Sequence, residues 1–300
     1  MYRLDAMSIF IAAVESGSFS AASRKLGVPL PTVSRKVADL EAHLNTRLLV
    51  RSTRKLALTD AGSAYLAACK TILEQVGEAE RAAAGEYVSP KGDLIIAAPI
   101  VFGRLHVLPA VNDFLAMFPD INVQMVLSDR NADLIDDHID MAVRIGTLPD
   151  SRMVATRVGF VRRVVCASPT FLAAHGTPKT PDDLAATPCI TFGNMVSGSS
   201  WMFASKSRRP SRSVPVQPRL VVNTAEAAID AAVAGVGITQ VLSYQAALAI
   251  KDKRLKIVLA DFEVEPLPVH VLYPAQTRPP LKLRSFLEFA VPRLRKAAAT

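Results

Sequence analysis

Hydroxyl and basic side chains share the outward side of one predicted helix near the N-terminus. Thr32, Ser34 and Arg35 alternate there with the apolar residues Val33 and Val37, which point inward at helical spacing. A guanidinium fork matches the edge of guanine in the major groove, and hydroxyl groups bind phosphates. This chemistry predicts a DNA contact in which Arg35 touches a base and Thr32 and Ser34 touch the backbone.

A second basic group follows in a predicted hairpin. Arg51 and Arg54 border its tip, between two short strand-like runs at 48–50 and 55–58. They suit contacts to the DNA backbone or minor groove. The first 60 residues hold nine Lys and Arg against five Asp and Glu, so positive charge is densest where a DNA contact would need it.

Helix signals place these side chains on a small domain. Ser18 predicts an N-cap, Gly27 a left-handed C-cap, Pro31 a first helical turn and Asn45 the end of the third helix. Three helices with a short second turn, followed by a basic hairpin, predict an all-α winged helix-turn-helix over residues 1–60.

A long helix is predicted from Asp60 to Glu86, with Thr59 as its N-cap, because the stretch has no proline and many alanines. This linker segment, 61–91, ends at a breaker sequence before Gly92. Its apolar spacing fits either a dimer seam, which we favour, or packing within one chain. The seam positions are Tyr65, Cys69, Ile72, Val76, Ala79 and Ala83.

Strand and helix patterns alternate from residue 92 to residue 300, which predicts an α/β domain with helices on both sheet faces. The predicted strands are 94–98, 121–127, 141–145, 161–167, 189–192, 220–222 and 268–273. The predicted helices are 105–118, 131–137, 169–175, 224–234 and 281–294, and a strand-turn-helix segment is predicted within 231–250.

Composition excludes several classes of protein. Of the 300 residues 50% are hydrophobic and 21% charged, which excludes a disordered chain, and the net charge of +8 favours a polyanionic partner. Three separated cysteines argue against a disulfide scaffold or zinc ribbon, and the spacing of His, Cys and acidic residues predicts no metal site and no cofactor. We expect a cytoplasmic protein that does not span a membrane.

Motifs in the chain resemble the LysR-type transcriptional regulators from about residue 3 to residue 294. The N-terminal motifs are SFSAA at 18–22, LGV at 26–28, TVSR at 32–35 and LLVRSTRKLALTDAG at 48–62. The later ones are DMAVRIG at 140–146, ASP at 167–169 and AGVGI at 234–238.

The resemblance implies a mechanism and a set of partners. It implies double-stranded promoter DNA with an interrupted palindrome, bound by a dimer and commonly by a dimer of dimers, and RNA polymerase as a further partner. It also implies a periplasmic-binding-protein-like domain whose two lobes hold a small-molecule effector. By resemblance lobe one comprises 92–161 and 268–300, and lobe two comprises 162–267.

Residues can be carried over from the family at two places. Leu30 and Pro31 occupy the turn where many members have a base-reading glutamine, and Leu30 instead suits a thymine methyl group. The effector is expected near the carboxyl ends of strands and is expected to be partly apolar. The expected effector-binding residues are Pro99, Ile100, Val101, Phe102, Gly146, Thr147, Asn223 and Thr224.

Two other classes of protein remain as alternatives. The α/β half alone would suffice for a small-molecule-binding protein without specific DNA recognition. An enzyme on an α/β fold has no catalytic constellation in the sequence to support it, so we expect no enzymatic activity.

Overall fold

The computed structural model describes residues 3–51, 56–83, 89–129, 139–148, 153–192, 200–204, 211–275 and 279–298. The chain divides into two compact units. The first is formed mainly by residues up to Gly92, and the second mainly by residues from Asp93 onward.

The first unit contains a helix-turn-helix, a two-stranded hairpin and a longer helix. Its elements are α1 (Arg3–Glu15), α2 (Phe19–Leu26), α3 (Leu30–Leu44), β1 (Leu49–Arg51), β2 (Leu56–Leu58) and α4 (Asp60–Ala83). The hairpin strands pair antiparallel, with Leu49 opposite Leu58. The predicted winged helix-turn-helix is confirmed.

The predicted caps explain where these helices begin and end. The Ser18 hydroxyl accepts a hydrogen bond from the Ala21 N–H at 3.1 Å. Gly27 and Asn45 close α2 and α3 in the left-handed conformation, at φ of 66° and 49°. Thr59 Oγ1 accepts from the Gly62 N–H at 2.9 Å and so caps α4 as predicted. Because these signals are local, they could be recognised in the sequence.

The core of the first unit corrects the predicted seam. Phe10, Val33 and Val37 are fully buried, and the start of α4 packs against them. The Cys69 side chain is also fully buried, and the Tyr65 ring lies 5.8 Å from that of Phe10. These two seam positions therefore serve the core of their own domain, because the predicted spacing is shared by both kinds of packing.

Two five-stranded sheets form the second unit. In spatial order the first consists of β4 (Ile121–Leu127), β3 (Gly92–Ala98), β5 (Met141–Ile145), β14 (Leu267–Pro274) and β6 (Met153–Val161). The second consists of β11 (Pro218–Val222), β8 (Cys189–Phe192), β12 (Ile238–Leu242), β7 (Arg163–Ala167) and β13 (Lys256–Val258). Both sheets are mixed: β3 is parallel to β5, for example, and β12 is antiparallel to β7.

Helices cover the sheets. They are α5 (Ile100–Phe102), α6 (Leu108–Met117), α7 (Pro169–His175), α8 (Ala225–Val233), α9 (Ser243–Lys251) and α10 (Leu281–Ala298), with 3-10 turns at Pro181–Ala186 and Ala260–Phe262. Strand β7 is buried on both faces, with Val164 and Cys166 in one cluster and Val165 and Ala167 in another. The predicted α/β class is confirmed. The predicted helix 131–137 lies outside the described residues.

The predicted strand 161–167 is wrong, because the chain changes sheets within it. β6 ends at Val161 in the first sheet, and β7 begins at Arg163 in the second. Between them the Arg162 guanidinium pairs with Glu263 at 3.0 Å, and its backbone N–H donates to Ser243 Oγ at 3.2 Å. A continuous apolar run hid this crossing in the sequence.

The predicted helix 105–118 starts too late. Helical structure begins at Ile100 and contains a π-helical turn at Gly103–Val107 before α6. A Cβ atom on Gly103 would meet the end of the Leu127 side chain on β4, so a larger residue here requires that side chain to move. Residues 100–117 have the length and apolar composition of a membrane span, but Val111 and Phe114 are buried in the fold, as in a core helix.

A short antiparallel hairpin, β9 (Ser200–Phe203) and β10 (Arg212–Pro215), was not predicted. It buries Trp201 and Phe203 against β7 and α7. The surrounding basic, serine-rich and proline-rich sequence masked the two apolar residues.

Candidate DNA-contact helix and ligand cavity

Helix α3 separates a buried face from an exposed one. Val33, Val37 and Leu40 are buried, whereas Pro31 and Arg35 are exposed. Residues three and four apart share a helix face, so the structure places Pro31, Ser34 and Arg35 together on the exposed face. Thr32 and Ser34 are partly exposed, and Leu30 is 43% exposed at the first turn.

The hairpin is fixed to α3 through Glu41, a role that sequence reasoning missed. Glu41 Oε1 accepts hydrogen bonds from the backbone N–H groups of Leu48 at 2.8 Å and Leu49 at 3.0 Å. Thr59 Oγ1 donates to the Arg47 carbonyl at 2.8 Å. The wing therefore starts from a fixed point on the recognition helix.

The predicted wing arginines can be placed only in part. The Arg51 backbone pairs with Leu56 in the hairpin. The Arg51 side chain and all of Arg54 lie outside the described residues. Their proposed DNA contacts stay a prediction.

A cavity of about 410 Å³ lies within the second unit and is lined by residues of both sheets. Its charged lining residues are Asp129, Arg144 and Arg163. Its aromatic lining residues are Phe192, Trp201 and Tyr244, and aliphatic ones such as Val126 and Leu267 complete much of the wall.

The expected effector residues fall into three groups. Pro99 lines the cavity, and the residues after it begin the covering helix, with Val101 and Phe102 buried. Gly146 and Thr147 follow β5. Asn223 and Thr224 follow β11, where the Thr224 hydroxyl accepts from the Ala227 N–H and caps α8. Of the eight expected residues, only Pro99 is among those that line the cavity.

Other cavity residues were not predicted. Arg144 and Arg163 come from β5 and β7, and Gln240 and Gln245 come from β12 and the start of α9. Arg144, Arg163 and Gln240 lie within strands, whereas the sequence pointed to the segments that follow strands. Gln245 does lie after a strand, but the segment after β12 was not among the expected ones. Arg144 interrupts the otherwise apolar run of the predicted strand 141–145, and this was the sequence signal that could have identified it as a cavity residue.

The helix that starts at Ile100 already has an acidic partner. Asp129 Oδ1 accepts a hydrogen bond from the Ile100 N–H at 3.0 Å. Burial, with the nearby Asp129 charge, raises the pKa of Tyr244, so this phenol stays neutral at physiological pH. The Tyr244 ring packs edge-on against Phe102, with centroids 5.3 Å apart.

Arg163 differs from the other charged lining residues. Burial lowers the pKa of its guanidinium, which remains protonated at neutral pH. No carboxylate in the described part of the chain pairs with it, and no described hydrogen bond satisfies its side chain. Arg144, by contrast, already interacts within the fold.

Among the described residues, no group of three or more His, Cys, Asp or Glu side chains is placed to hold a metal ion. All three cysteines are buried, and burial raises the pKa of both Cys166 and Cys189 to about 12.

A winged helix-turn-helix that exposes Arg35 on its third helix, carried by the same chain as a two-sheet domain with a ligand cavity, defines a DNA-binding regulator with an effector domain. Residues 4–63 match the family model for the bacterial regulatory helix-turn-helix protein of the lysR family. Residues 88–295 match the LysR substrate binding domain. The chain belongs to the LysR-type transcriptional regulator family.

Individual relatives share nearly the whole length. The chain is 32% identical over 283 residues to an HTH-type transcriptional regulator of Haemophilus influenzae, covering 94% of this chain and 98% of the relative. It is 33% identical over 291 residues to an HTH-type transcriptional repressor of Pseudomonas aeruginosa, covering 97% and 92%. The solved structure of CrgA, a LysR-type transcriptional regulator from Neisseria meningitidis, is 30% identical, with a TM-score of 0.62 and coverage of 97% and 98%.

Proposed function

We propose that the protein is a ligand-responsive regulator that binds an interrupted palindrome as a dimer of dimers in the cytoplasm and acts through RNA polymerase. The observation that carries this proposal is the cavity shared by two sheets in a chain that also has a helix-turn-helix. A ligand touching both sheets favours one arrangement of the sheets over another. Only such a difference in affinity can shift a regulator between two states.

We assign the DNA contacts by side-chain chemistry. Arg35 reads a guanine edge, Leu30 contacts a thymine methyl group with Pro31 beside it in the same turn at the DNA, and Thr32 and Ser34 bind phosphates. The wing arginines at 51 and 54 bind the backbone or the minor groove. Two such helices in a dimer would enter successive major grooves, roughly 34 Å apart.

The functional division follows the sheets. We propose a DNA-binding domain at 1–60, a linker at 61–91 and an effector domain at 92–300, with lobe one at 92–161 and 268–300 and lobe two at 162–267. The two five-stranded sheets support the division of the effector domain, because each is drawn from one proposed lobe except for Leu267, the first residue of β14. The segments after Pro99, Ile145 and Val222 remain our proposed contacts for an effector that reaches beyond the cavity.

We place the dimer seam in the second half of α4. Tyr65 and Cys69 are used within their own domain, whereas Ile72 is 37% exposed and Ala79 is exposed. Deleting residues 61–91 should abolish dimers. A deletion variant that still sediments as a dimer contradicts the seam.

The experiment is fluorescence anisotropy with the purified full-length protein and the DNA just upstream of its own gene. A salt series with competitor DNA separates specific from electrostatic binding. Binding that survives competitor near physiological salt supports a specific regulator. If competitor removes binding to this DNA and to a tiled set of genomic fragments at every salt, the small-molecule-binding alternative replaces the proposal.

A further inference from the structure

We propose that the effector is a small organic carboxylate with an apolar body, and that Arg163 is its anchor. This inference rests on the proposed function, because it names the class of ligand for the same cavity. Its basis is the charge balance, polarity and size of that cavity.

The charge balance of the cavity favours one negative group. Its charged lining residues are two arginines and one aspartate, so the described walls carry a net charge of +1. Asp129 is already hydrogen-bonded to the Ile100 N–H, and Arg144 has an interaction within the fold. Arg163 is the lining cation for which the described residues supply no counter-charge, and burial already opposes its charge. An anionic ligand would supply that counter-charge.

The helix beginning at Ile100 is not the anion site. Pro99 has no N–H group, and the Ile100 N–H already donates to the Asp129 carboxylate at 3.0 Å. A second carboxylate there would face the negative charge of Asp129. The anion is therefore expected at the β5 and β7 side of the cavity, where Arg144 and Arg163 lie.

The position of the two arginines links ligand charge to regulation. Arg144 belongs to the first sheet, opposite His270, and Arg163 belongs to the second, opposite Leu242. A carboxylate has two oxygens and accepts several charge-assisted hydrogen bonds. One carboxylate near both cations would hold the two sheets in one arrangement.

The remaining walls define the body of the ligand. Phe192, Trp201, Val126 and Leu267 supply apolar surface, while Gln240 and Gln245 supply amide groups. The cavity of about 410 Å³ lies toward the small end of ligand pockets, which span roughly 300–1,000 Å³. A monocarboxylate with an aromatic ring or short aliphatic chain fits these limits.

The test uses calorimetry and thermal unfolding of the full-length protein with benzoate, phenylacetate and hexanoate, each compared with its uncharged amide. We expect at least one acid to bind and raise Tm, and its matched amide to bind at least 10-fold more weakly. The inference is overturned if none of the acids binds, or if each acid that binds is matched by its amide.

Variants identify the anchor. Arg163→Met should weaken binding of the acid by at least 10-fold while the Tm of the ligand-free variant stays the same or rises, because a desolvated cation without a counter-charge is removed. Arg163→Lys should restore part of the affinity. Arg219→Met is the matched control, since Arg219 is exposed in β11 and does not line the cavity. Equal losses in Arg219→Met and Arg163→Met contradict a specific anchor.

DNA binding by the unmodified protein is measured separately. Acid binding through Arg163 in a protein without specific DNA binding would retain this inference and overturn the proposed function. Specific DNA binding by a protein that does not bind the acids through Arg163 would retain the proposed function and overturn this inference.

Discussion

The recognition helix and the effector cavity both present arginine, but in opposite electrostatic settings. Arg35 is exposed on α3, so water and salt compete for its charge. Arg163 is partly buried, and burial lowers its guanidinium pKa. The first setting suits a long polyanion bound through many exchangeable contacts. The second suits one small anion held where water is scarce, because a desolvated charge gains more from a single counter-ion.

The largest effect of a single substitution should come at the junction that supports the hairpin of the first unit. Gly62→Ala would drive a Cβ atom into the Leu48 carbonyl at the junction of the hairpin and α4. Because that atom is backbone and cannot move aside, we expect a loss of at least about 3 kcal/mol in unfolding free energy for the DNA-binding unit. Hydrogen exchange at the amides of α1–α3 measures it.

Ala68→Gly is the matched control for this variant. Ala68 is exposed on the same helix, so its change should cost only about 1 kcal/mol of helix propensity. If the amides of α1–α3 are equally protected from hydrogen exchange in both variants, the close approach of residue 62 to the Leu48 carbonyl does not matter for the fold.

The recognition helix and the effector cavity should next differ in how strongly salt weakens binding to each. Raising salt from 50 to 200 mM should weaken DNA binding by roughly 10³-fold or more if at least six phosphates are contacted. Binding of a carboxylate in the cavity should change by less than about 3-fold, because a partly buried pair is screened less than an exposed one. Anisotropy for DNA and calorimetry for the acid measure both slopes, and parallel slopes would remove the contrast between the two arginines.

Sequence reasoning succeeded in the first region because its signals are local. Ser18, Gly27 and Asn45 each determine a helix end through their own backbone or a neighbour three to five residues away. The apolar period of α3 likewise identified its exposed face, including Arg35. A short stretch of sequence therefore contained most of the information needed.

The cavity could not be predicted in the same way. Its lining runs from Ala97 to Leu267, and two of its charged residues come from strands in different sheets. Arg163 is the first residue after the chain changes sheets, and Arg162 at that crossing contacts Ser243 and Glu263, which are 81 and 101 residues away in sequence. Such long-range contacts leave no local periodicity, so the segments after strands were examined instead.

Arg35→Ala tests whether the exposed arginine of the recognition helix reads a base. Loss of a bidentate base contact should cost about 1–3 kcal/mol on the specific site and relax preference at one base pair. Arg54→Ala serves as the comparison: a phosphate contact should weaken binding evenly on all sequences and lower the salt slope by about 1. Competition against single-base variants of the operator distinguishes the two. An even loss for Arg35→Ala would remove its assigned role.

The smallest effect should be a pH dependence of the unfolding free energy, caused by two histidines whose pKa values are lowered by burial, as that of Arg163 is. Burial lowers the pKa of His106 below 6.5, and burial together with the Arg157 charge lowers that of His270. His106 Nε2 is sealed without a hydrogen-bond partner in the described structure, beside Phe102 and Tyr244. The unfolded chain therefore binds more protons than the folded chain below pH 6.5. Stability from these groups is complete above that pH and is lost as pH falls toward the folded pKa values.

Urea unfolding between pH 7.5 and 5.5 measures this dependence. His106→Leu should flatten the fall in unfolding free energy but leave the part due to His270. His175→Leu, at an exposed histidine that stacks on Phe171, is the control for replacing a histidine with leucine. If His106→Leu keeps the full slope, burial of His106 is not what makes the second unit sensitive to acid, and its contrast with the solvated recognition helix rests on Arg163 alone.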